Sequence, residues 1–585
     1  MALETPTATL ADSLNHSPRE LKFGTSGRRG LVVDLTQLEV YICALAELEY
    51  LQTLSPAEGA IRHGDDFYFA YDLRSSSTQY VAEEEGRGEL VQAVVRAITD
   101  AGMRPVNLGA IPTPALTSFA LARGKGSIMV TGSHIPFDRN GYKTNTCRGE
   151  LLKHHEVPIG RKVDEVRQRL YSQTLAESIF EPGGRFKSGH AELPPASDEA
   201  RKAYIDRYVQ FAGAGALDGM RLLFYQHSAV GRDLVPEILR RMGAEVICTG
   251  RSDTFVPIDT ENIDAAQLAT IQALRDAAVA EHGPIDAVLS TDGDSDRPLV
   301  LAVQPETGKV QFYGGDLVGM VVAHYLRADS VVVPISCNDA IDRSSLAGVC
   351  EPKTRIGSPY VIAGMEAAVA KGRRAVCGWE ANGGFLTGCD IIRDGKTLKA
   401  LPTRDAMLPI LGVLLSARQQ KCTLPELFAK LPLRFSRAAL LRQFPRAIAL
   451  RIVQRFSPAA AALKEALFSS GVTALDEGGS VPAQSSQSQL LAIRDDLATF
   501  FSPARGFAPI TGLDYTDGVR IRFANGDVAH LRPSGNADEL RIYAVADTQA
   551  RAEAIVAAGV AEPNGILRAM EAAVGDQGDS LKQDS

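Results

Sequence analysis

The chain has 585 residues, 45% of them hydrophobic and 23% charged, with a formal net charge of −8. That length exceeds what one hydrophobic core supports and points to roughly three to five domains of ordinary soluble composition. An acidic balance without a long basic block argues against nucleic acid as a partner, and no apolar run approaches the ~20 residues that a membrane span needs.

The first 18 residues carry acids and prolines rather than a basic segment followed by an apolar one, so no export signal is expected. They read as a frayed end, as do the residues after about 573. The eight cysteines (43, 147, 248, 337, 350, 377, 389 and 422) are dispersed without zinc or dithiol spacing, which suits reduced thiols in a cytoplasmic protein. Phe23-Gly24-Thr25-Ser26-Gly27-Arg28-Arg29-Gly30 mixes glycines with two arginines, a composition fit for close approach of main chain to an anion and equally for a plain basic turn. Residues 67–71 read as a strand entering Asp72-Leu73-Arg74-Ser75-Ser76-Ser77, and residues 89–101 as a helix closed by Gly102. Ser127-Ile128-Met129-Val130 is strand-like and delivers Thr131-Gly132-Ser133-His134-Ile135-Pro136 to a loop. A nucleophile suits Ser133 there, although an isolated serine is more often a turn residue, and nothing nearby marks an acyl-transfer elbow. A serine carrying phosphate would offer acceptor oxygens to a metal and to cations, for which Lys143 in Asn140-Gly141-Tyr142-Lys143 is a charge partner.

The strand, loop and helix order returns at residues 222–225 and 234–242, with Gly243 ahead of a strand at 246–248. A third copy starts at 330–335 and continues through a helix at 359–369 to a strand at 375–377, so repeated α/β modules are expected. Between the second and third copies, the apolar run 285–290 ends in Asp292-Gly293-Asp294-Ser295-Asp296-Arg297. Three carboxylates at alternate positions after a buried strand can converge on one hard cation, with the arginine left to hold a phosphate; a solvated acidic turn is the plainer alternative. An EF-hand fits worse, because Arg297 and Val303 stand where glycine and glutamate belong.

Trp379-Glu380-Ala381-Asn382-Gly383-Gly384 places a carboxylate and an amide on a glycine-rich loop suited to vicinal sugar hydroxyls. Gly395-Lys396-Thr397 ends like a nucleotide P-loop but has Asp390 where that motif needs glycine, so ATP is not implied. After about residue 430 the character changes to a smaller α+β domain, with a helix at 490–500, an alternating strand at 519–523 and an Asn525-Gly526 hairpin turn. Residues 478–489 are rich in Ser, Gln and Gly and read as an exposed loop. Arg532-Pro533-Ser534-Gly535-Asn536, followed by Arg541, crowds hydroxyl, amide and guanidinium donors into a phosphate cradle.

These five loops, in this order from Phe23 to Tyr543, resemble the α-D-phosphohexomutase superfamily, whose members interconvert sugar 1-phosphates and 6-phosphates. The resemblance implies three related α/β/α domains with mixed sheets and a smaller α+β C-terminal domain around a central cleft, over residues 19–195, 196–310, 311–430 and 431–572. It also implies that Ser133 is phosphorylated and that one Mg²⁺ is held by Asp292, Asp294, Asp296 and the Ser133 phosphate. Arg29, His134, Lys143 and Arg297 would surround the reacting group, Glu380 and Asn382 would recognise the sugar, and Arg532, Ser534, Asn536 and Arg541 would grip the other phosphate. A sugar 1,6-bisphosphate is implied as intermediate and activator, and a monomer or weak homodimer as the state in solution. Gly132, Ile135, Asn382, Gly384 and Asn536-Ala537-Asp538 depart from the commonest family pattern, as does Arg355-Ile356-Gly357-Ser358-Pro359. Histidine is frequent at the position of Gly384, which leaves the general base unassigned. The 380–384 loop resembles members described as phosphomannomutases, so mannose phosphate is the favoured substrate, ahead of glucose and glucosamine phosphates. A metal-dependent sugar phosphatase and an inactive sugar-phosphate-binding protein are the readings of another class.

Overall fold

The computed structural model describes residues 8–24, 27–261, 263–460, 462–469, 471–476, 479–480, 484–533 and 538–580. The chain forms two compact units, Met1–Val331 with Gly357–Phe428, and Val332–Ile356 with Ala429–Ser585.

The first unit is built on three sheets. In the first, strands run in the order Arg28–Leu31, Arg139–Thr146, Ser127–Val130, Asp66–Tyr71, Arg104–Ala110. Asp66–Tyr71 is parallel to both of its neighbours, whereas Arg139–Thr146 is antiparallel to both of its own. The second has the order Glu245–Arg251, Arg221–His227, Ala287–Thr291, Pro298–Val303, Val310–Phe312, again with two parallel junctions followed by two antiparallel ones. The third runs Ser330–Val332, Val376–Trp379, Phe385–Thr387, Leu401–Asp405 and ends in two antiparallel junctions. In each module a buried strand therefore turns directly into an antiparallel partner, and the three turns fall at residues 131–138, 292–297 and 380–384. These are the three loops singled out in the sequence.

Helices cover the sheets by ordinary apolar burial. Thr36 caps Gln37–Leu51, its hydroxyl accepting from Glu39 N. Leu38, Ile42, Leu45 and Leu48 of that helix share one core with Val91, Val94 and Ile98 of helix Leu90–Asp100 and with Phe67 and Phe69 of the sheet. The Gly395-Lys396-Thr397 segment is the tip of a hairpin between Ile391–Arg393 and Lys396–Leu398, with Asp394 and Gly395 at positive φ. Among the described residues no helix is long and apolar enough to cross a membrane.

The second unit carries an eight-stranded antiparallel sheet ordered Phe435–Arg442, Glu539–Ala546, Val528–Pro533, Val519–Phe523, Ile510–Asp514, Glu465–Phe468, Val472–Asp476, Gly479–Ser480. Three expectations need correction. Helix Gln484–Phe500 begins inside the segment read as a loop, because Leu490, Ile493, Leu497 and Phe500 make a buried helical stripe that carries the polar turn ahead of them. Residues 8–18 are not simply frayed: Thr9 caps Leu10–Ser13, Leu10 is buried, and its N–H donates to Gln173 O. The C-terminal helix runs on through Ile566–Ser580, anchored by buried Ile566, Leu567, Met570 and Val574.

Candidate active site

Strand Ser127–Val130 is buried throughout and delivers Ser133, itself buried, at φ 57°, a left-handed conformation uncommon for serine. The surrounding contacts over-determine that geometry. Ser133 N–H donates to Thr131 Oγ1 at 2.7 Å, and Thr131 Oγ1 donates to Asp72 Oδ2 at 2.7 Å. Arg74 donates from Nη2 to Ser133 O at 2.9 Å and from Nη1 to Pro136 O and Arg139 O at 2.7 and 3.0 Å. Its guanidinium lies 3.8 Å from the centre of the Phe255 ring. One buried cation thus gathers the carbonyls of the turn. A Cβ at Gly132 would come within 2.6 Å of that guanidinium, which accounts for glycine there.

Asp292, Asp294 and Asp296 are all buried, and one ligand oxygen from each lies within 4.8 Å of the others. Ser133 Oγ donates to Asp292 Oδ2 at 2.8 Å. Lys143 Nζ bridges Asp294 Oδ2 and Asp296 Oδ2, 2.7 Å from each, and Thr113 Oγ1 donates to Asp294 Oδ2 at 2.6 Å. The turn is fixed by Ser295, at φ 55°, whose Oγ lies 2.8 Å from Thr291 Oγ1 and accepts from Gly231 N at 2.9 Å. Gly293 lets it meet the serine loop, since a Cβ there would lie 2.5 Å from Ser133 O.

Burial, followed by the charges of Asp294 and Asp296, pushes the Asp292 carboxyl well above the ordinary range. Burial acts the same way on the other two, but Lys143 overcomes it at Asp294 and Arg404 at Asp296, so both are lowered. Asp294 Oδ1 and Asp296 Oδ1 are buried without a hydrogen-bond donor. Three converging carboxylates, two of them bridged by one ammonium, with two oxygens that accept no hydrogen bond, are a donor set that a hard divalent cation fits.

Further guanidiniums join this cluster, with Arg297 Nε 3.6 Å from Asp296 Oδ1 and 3.8 Å from Asp292 Oδ2, and Arg404 Nη2 3.0 Å from Asp296 Oδ2. Arg297 Nη1 lies 2.9 Å from His134 Nδ1, so that nitrogen accepts and the neutral ring carries its proton on Nε2. Burial, Arg297 and Arg29 hold His134 well below the usual imidazole range. Burial and Arg297 also bring Arg29 down to about 10. The buried Nε of Arg29 and Nε of Arg297 donate no hydrogen bond.

In the third turn, Glu380 Oε2 accepts from Arg404 Nη1 at 3.1 Å, and Arg404 Nε donates to Asp296 Oδ2 at 3.0 Å. Asn382 Oδ1 accepts from Gly384 N at 3.0 Å, so the side-chain oxygen is committed to its own turn. Ser133, His134, Lys143, Arg29, Arg297, the three aspartates, Glu380 and Asn382 all belong to the first unit. Arg532 and Arg541 belong to the second, opposite each other on adjacent strands. Arg532 Nε donates to Asp517 Oδ2 at 3.1 Å and Arg541 Nη2 to Glu539 Oε2 at 3.3 Å. Ser534 and Asn536 lie outside the described residues.

Sequence reasoning did not single out Arg74, Thr113 or Arg404. Arg74 stands just past the end of strand Asp66–Tyr71, and a cation at a strand end beside Asp72 is the one local signal among the three. Thr113 sits between two prolines at the start of helix Thr113–Leu121, and Arg404 lies within a short strand; neither has a local signal.

Four family models of phosphoglucomutase/phosphomannomutase match the chain in succession: α/β/α domain I over residues 20–169, domain II over 202–304, domain III over 314–435 and the C-terminal domain over 485–562. A phosphomannomutase of Sinorhizobium fredii is 35% identical over 543 residues, covering 93% of this chain and 98% of that protein. One from Salmonella muenchen is 34% identical over 533 residues, covering 90% and 92%. The crystal structure of a phosphoglucomutase/phosphomannomutase family protein from Burkholderia thailandensis shares the fold, with a TM-score of 0.58 at 16% identity over 94% of this chain and 99% of that one. With four domain matches in order and this identity along nearly its whole length, the chain belongs to the phosphoglucomutase/phosphomannomutase family of the α-D-phosphohexomutases, isomerases that transfer a phosphoryl group within a sugar.

Proposed function

We propose that the protein interconverts mannose 6-phosphate and mannose 1-phosphate through phosphorylated Ser133 and a sugar bisphosphate. The observation that carries this reading is a set of buried carboxylate oxygens and guanidinium nitrogens without hydrogen bonds, in the same cluster as one serine hydroxyl. Asp294 Oδ1 and Asp296 Oδ1 accept no hydrogen bond, and Arg29 Nε and Arg297 Nε donate none. A phosphoryl group on Ser133 together with Mg²⁺ would satisfy both.

Asp292, Asp294, Asp296 and a Ser133 phosphate oxygen would hold the Mg²⁺, which when bound neutralises charge on the transferring group. Lys143 keeps two of these carboxylates oriented. Arg29 and Arg297 would bind the phosphoryl oxygens, and His134 would orient Arg297. In the transfer, the Ser133 Oγ–P bond breaks as a bond forms from the sugar hydroxyl to phosphorus. The proton given up by the sugar hydroxyl ends on Ser133 Oγ, which then donates again to Asp292. The bisphosphate turns and returns its other phosphate to Ser133, so the phosphate not reacting needs its own clamp. Arg532, Arg541, Ser534 and Asn536 are assigned to that task, and Glu380 and Asn382 to the sugar hydroxyls. A little sugar 1,6-bisphosphate would prime the enzyme. Mannose is preferred because both long relatives carry that name.

Mannose 1-phosphate and glucose 1-phosphate, supplied separately with Mg²⁺ and followed by phosphorus NMR, test the assignment. Faster formation of mannose 6-phosphate is expected. Faster turnover of glucose would make it a phosphoglucomutase, and release of inorganic phosphate alone would make it a phosphatase. The intact mass should carry a phosphoryl adduct that disappears in Ser133→Ala.

A further inference from the structure

Arg404 ends the side of strand Leu401–Asp405 that pairs with Phe385–Thr387, directly after the 380–384 turn. It is 3% exposed and touches two acids directly and a third through a serine hydroxyl. Its Nε is 3.0 Å from Asp296 Oδ2 and its Nη1 3.1 Å from Glu380 Oε2. Nη1 also lies 3.4 Å from Ser358 Oγ, which donates to Glu150 Oε2 at 2.6 Å. Burial opposes its charge, but Asp296, Glu380 and Glu150 more than compensate and hold it firmly protonated.

The space for this side chain is made by a glycine. A Cβ on Gly384 would lie 2.4, 2.6 and 2.9 Å from Arg404 Cδ, Cγ and Cβ. Those atoms are the stiff near end of the side chain, so any other residue at 384 must displace the guanidinium. The strand cannot yield from behind, because the hydroxyls of Tyr204 and Tyr208 and the Met407 N–H all donate to Asp405.

We propose that Gly384 and Arg404 act as one unit setting sugar-phosphate affinity: Arg404 is a positioning residue that ties the Glu380 carboxylate to Asp296 of the metal loop, and Gly384 is the gap that admits it. This rests on the hexose-phosphate mutase reading. Arg404 fixes the direction of the Glu380 carboxylate, so the sugar hydroxyls meet an acceptor already ordered.

Arg404→Lys retains the buried charge but cannot span both carboxylates with the directional fork of a guanidinium. Gly384→Ala leaves every charge in place and displaces Arg404 sterically. The lone tryptophan, Trp379, adjoins Glu380 and reports binding. Mannose 1-phosphate titrated in EDTA, where no metal contributes, should show Kd raised roughly 10- to 100-fold in either variant, the equivalent of one charged hydrogen bond. With Mg²⁺ restored, KM should rise in parallel while kcat stays within about threefold. The double variant should be no worse than the weaker single, since both remove the same contact. A Kd within about twofold of wild type in a folded Arg404→Lys or Gly384→Ala chain, or additive losses in the double variant, overturns the proposal. Should Arg404→Lys not fold, Gly384→Ala with the same titration decides alone. Wild-type protein that binds the sugar phosphate yet makes no isomer would sink the mutase reading while leaving this binding test intact.

Discussion

Gly132 and Gly293 show how little freedom the nucleophile has. Each lacks a side chain because the neighbouring loop already fills the space, with the Arg74 guanidinium against Gly132 and the Ser133 carbonyl against Gly293. The guanidinium can shift at a cost, whereas the carbonyl belongs to the reacting residue's own backbone. Gly132→Ala should therefore lose about 1–3 kcal/mol of stability by overpacking and keep part of its turnover, while Gly293→Ala should abolish the phosphoryl adduct on Ser133. Thermal unfolding and intact mass separate the two. Lys143 makes a second residue-scale argument. It is the ammonium shared by Asp294 and Asp296, and because Asp296 keeps Arg404, Lys143→Met strips the ion pair from buried Asp294, a loss of about 3–5 kcal/mol without metal. Added Mg²⁺ should raise the unfolding temperature of Lys143→Met more than that of wild type; equal rises would mean that the cation does not bind at these carboxylates.

At the scale of elements, the site is one piece of topology used three times: a buried strand, a turn, and an antiparallel partner. The strands were legible because Ser127–Val130 and Ala287–Thr291 are fully buried and read as short apolar runs. The equivalence of the turns was not, since Thr131-Gly132-Ser133, Asp292-Gly293-Asp294 and Glu380-Ala381-Asn382 share no residue pattern that outweighs their different chemistry. Polar partners brought in from afar were equally hidden. Thr113 reaches Asp294 across 181 positions and Arg404 reaches Asp296 across 108, and no periodicity records such a distance. The helical turn at 484–489 carries no apolar periodicity, and its serines offset the helix preference of its glutamines, so burial further along the helix decides. The docking of helix Glu199–Ala212 on strand Leu401–Asp405 rests on a similarly remote contact, two tyrosine hydroxyls on one buried carboxylate. Tyr208→Phe alone should cost about 1–2 kcal/mol, because Tyr204 and Met407 N–H still serve Asp405. Removing both hydroxyls should cost more than the sum of the singles, as measured by chemical denaturation.

For the whole molecule, each unit contains a histidine that the fold keeps neutral. His227 Nε2 faces Thr291 O at 2.8 Å in the first unit, and His530 Nε2 faces Asp517 O at 2.5 Å in the second. In both rings Nδ1 is buried without a partner, so a proton added there would be desolvated and unpaired. Burial accordingly lowers each imidazole to about 4, with Arg232 acting in the same direction at His227 and Arg520 and Arg532 at His530. Unfolding releases these rings to an ordinary value near 6.5. The unfolded chain then binds more protons than the folded one between those two values, and stability falls as pH falls. The contribution is complete above pH ~6.5 and gone below pH ~4, with about 2 kcal/mol per histidine already lost at pH 5. Unfolding temperatures measured at pH 7 and pH 5 should therefore differ by several degrees. His530→Gln keeps an N–H donor for Asp517 O but cannot titrate, and it should narrow that difference by less than half, because burial also holds His227, His134 and His155 low. An undiminished gap in His530→Gln would place the acid sensitivity in other groups, His134 and His155 first among them, since burial holds both rings low as well.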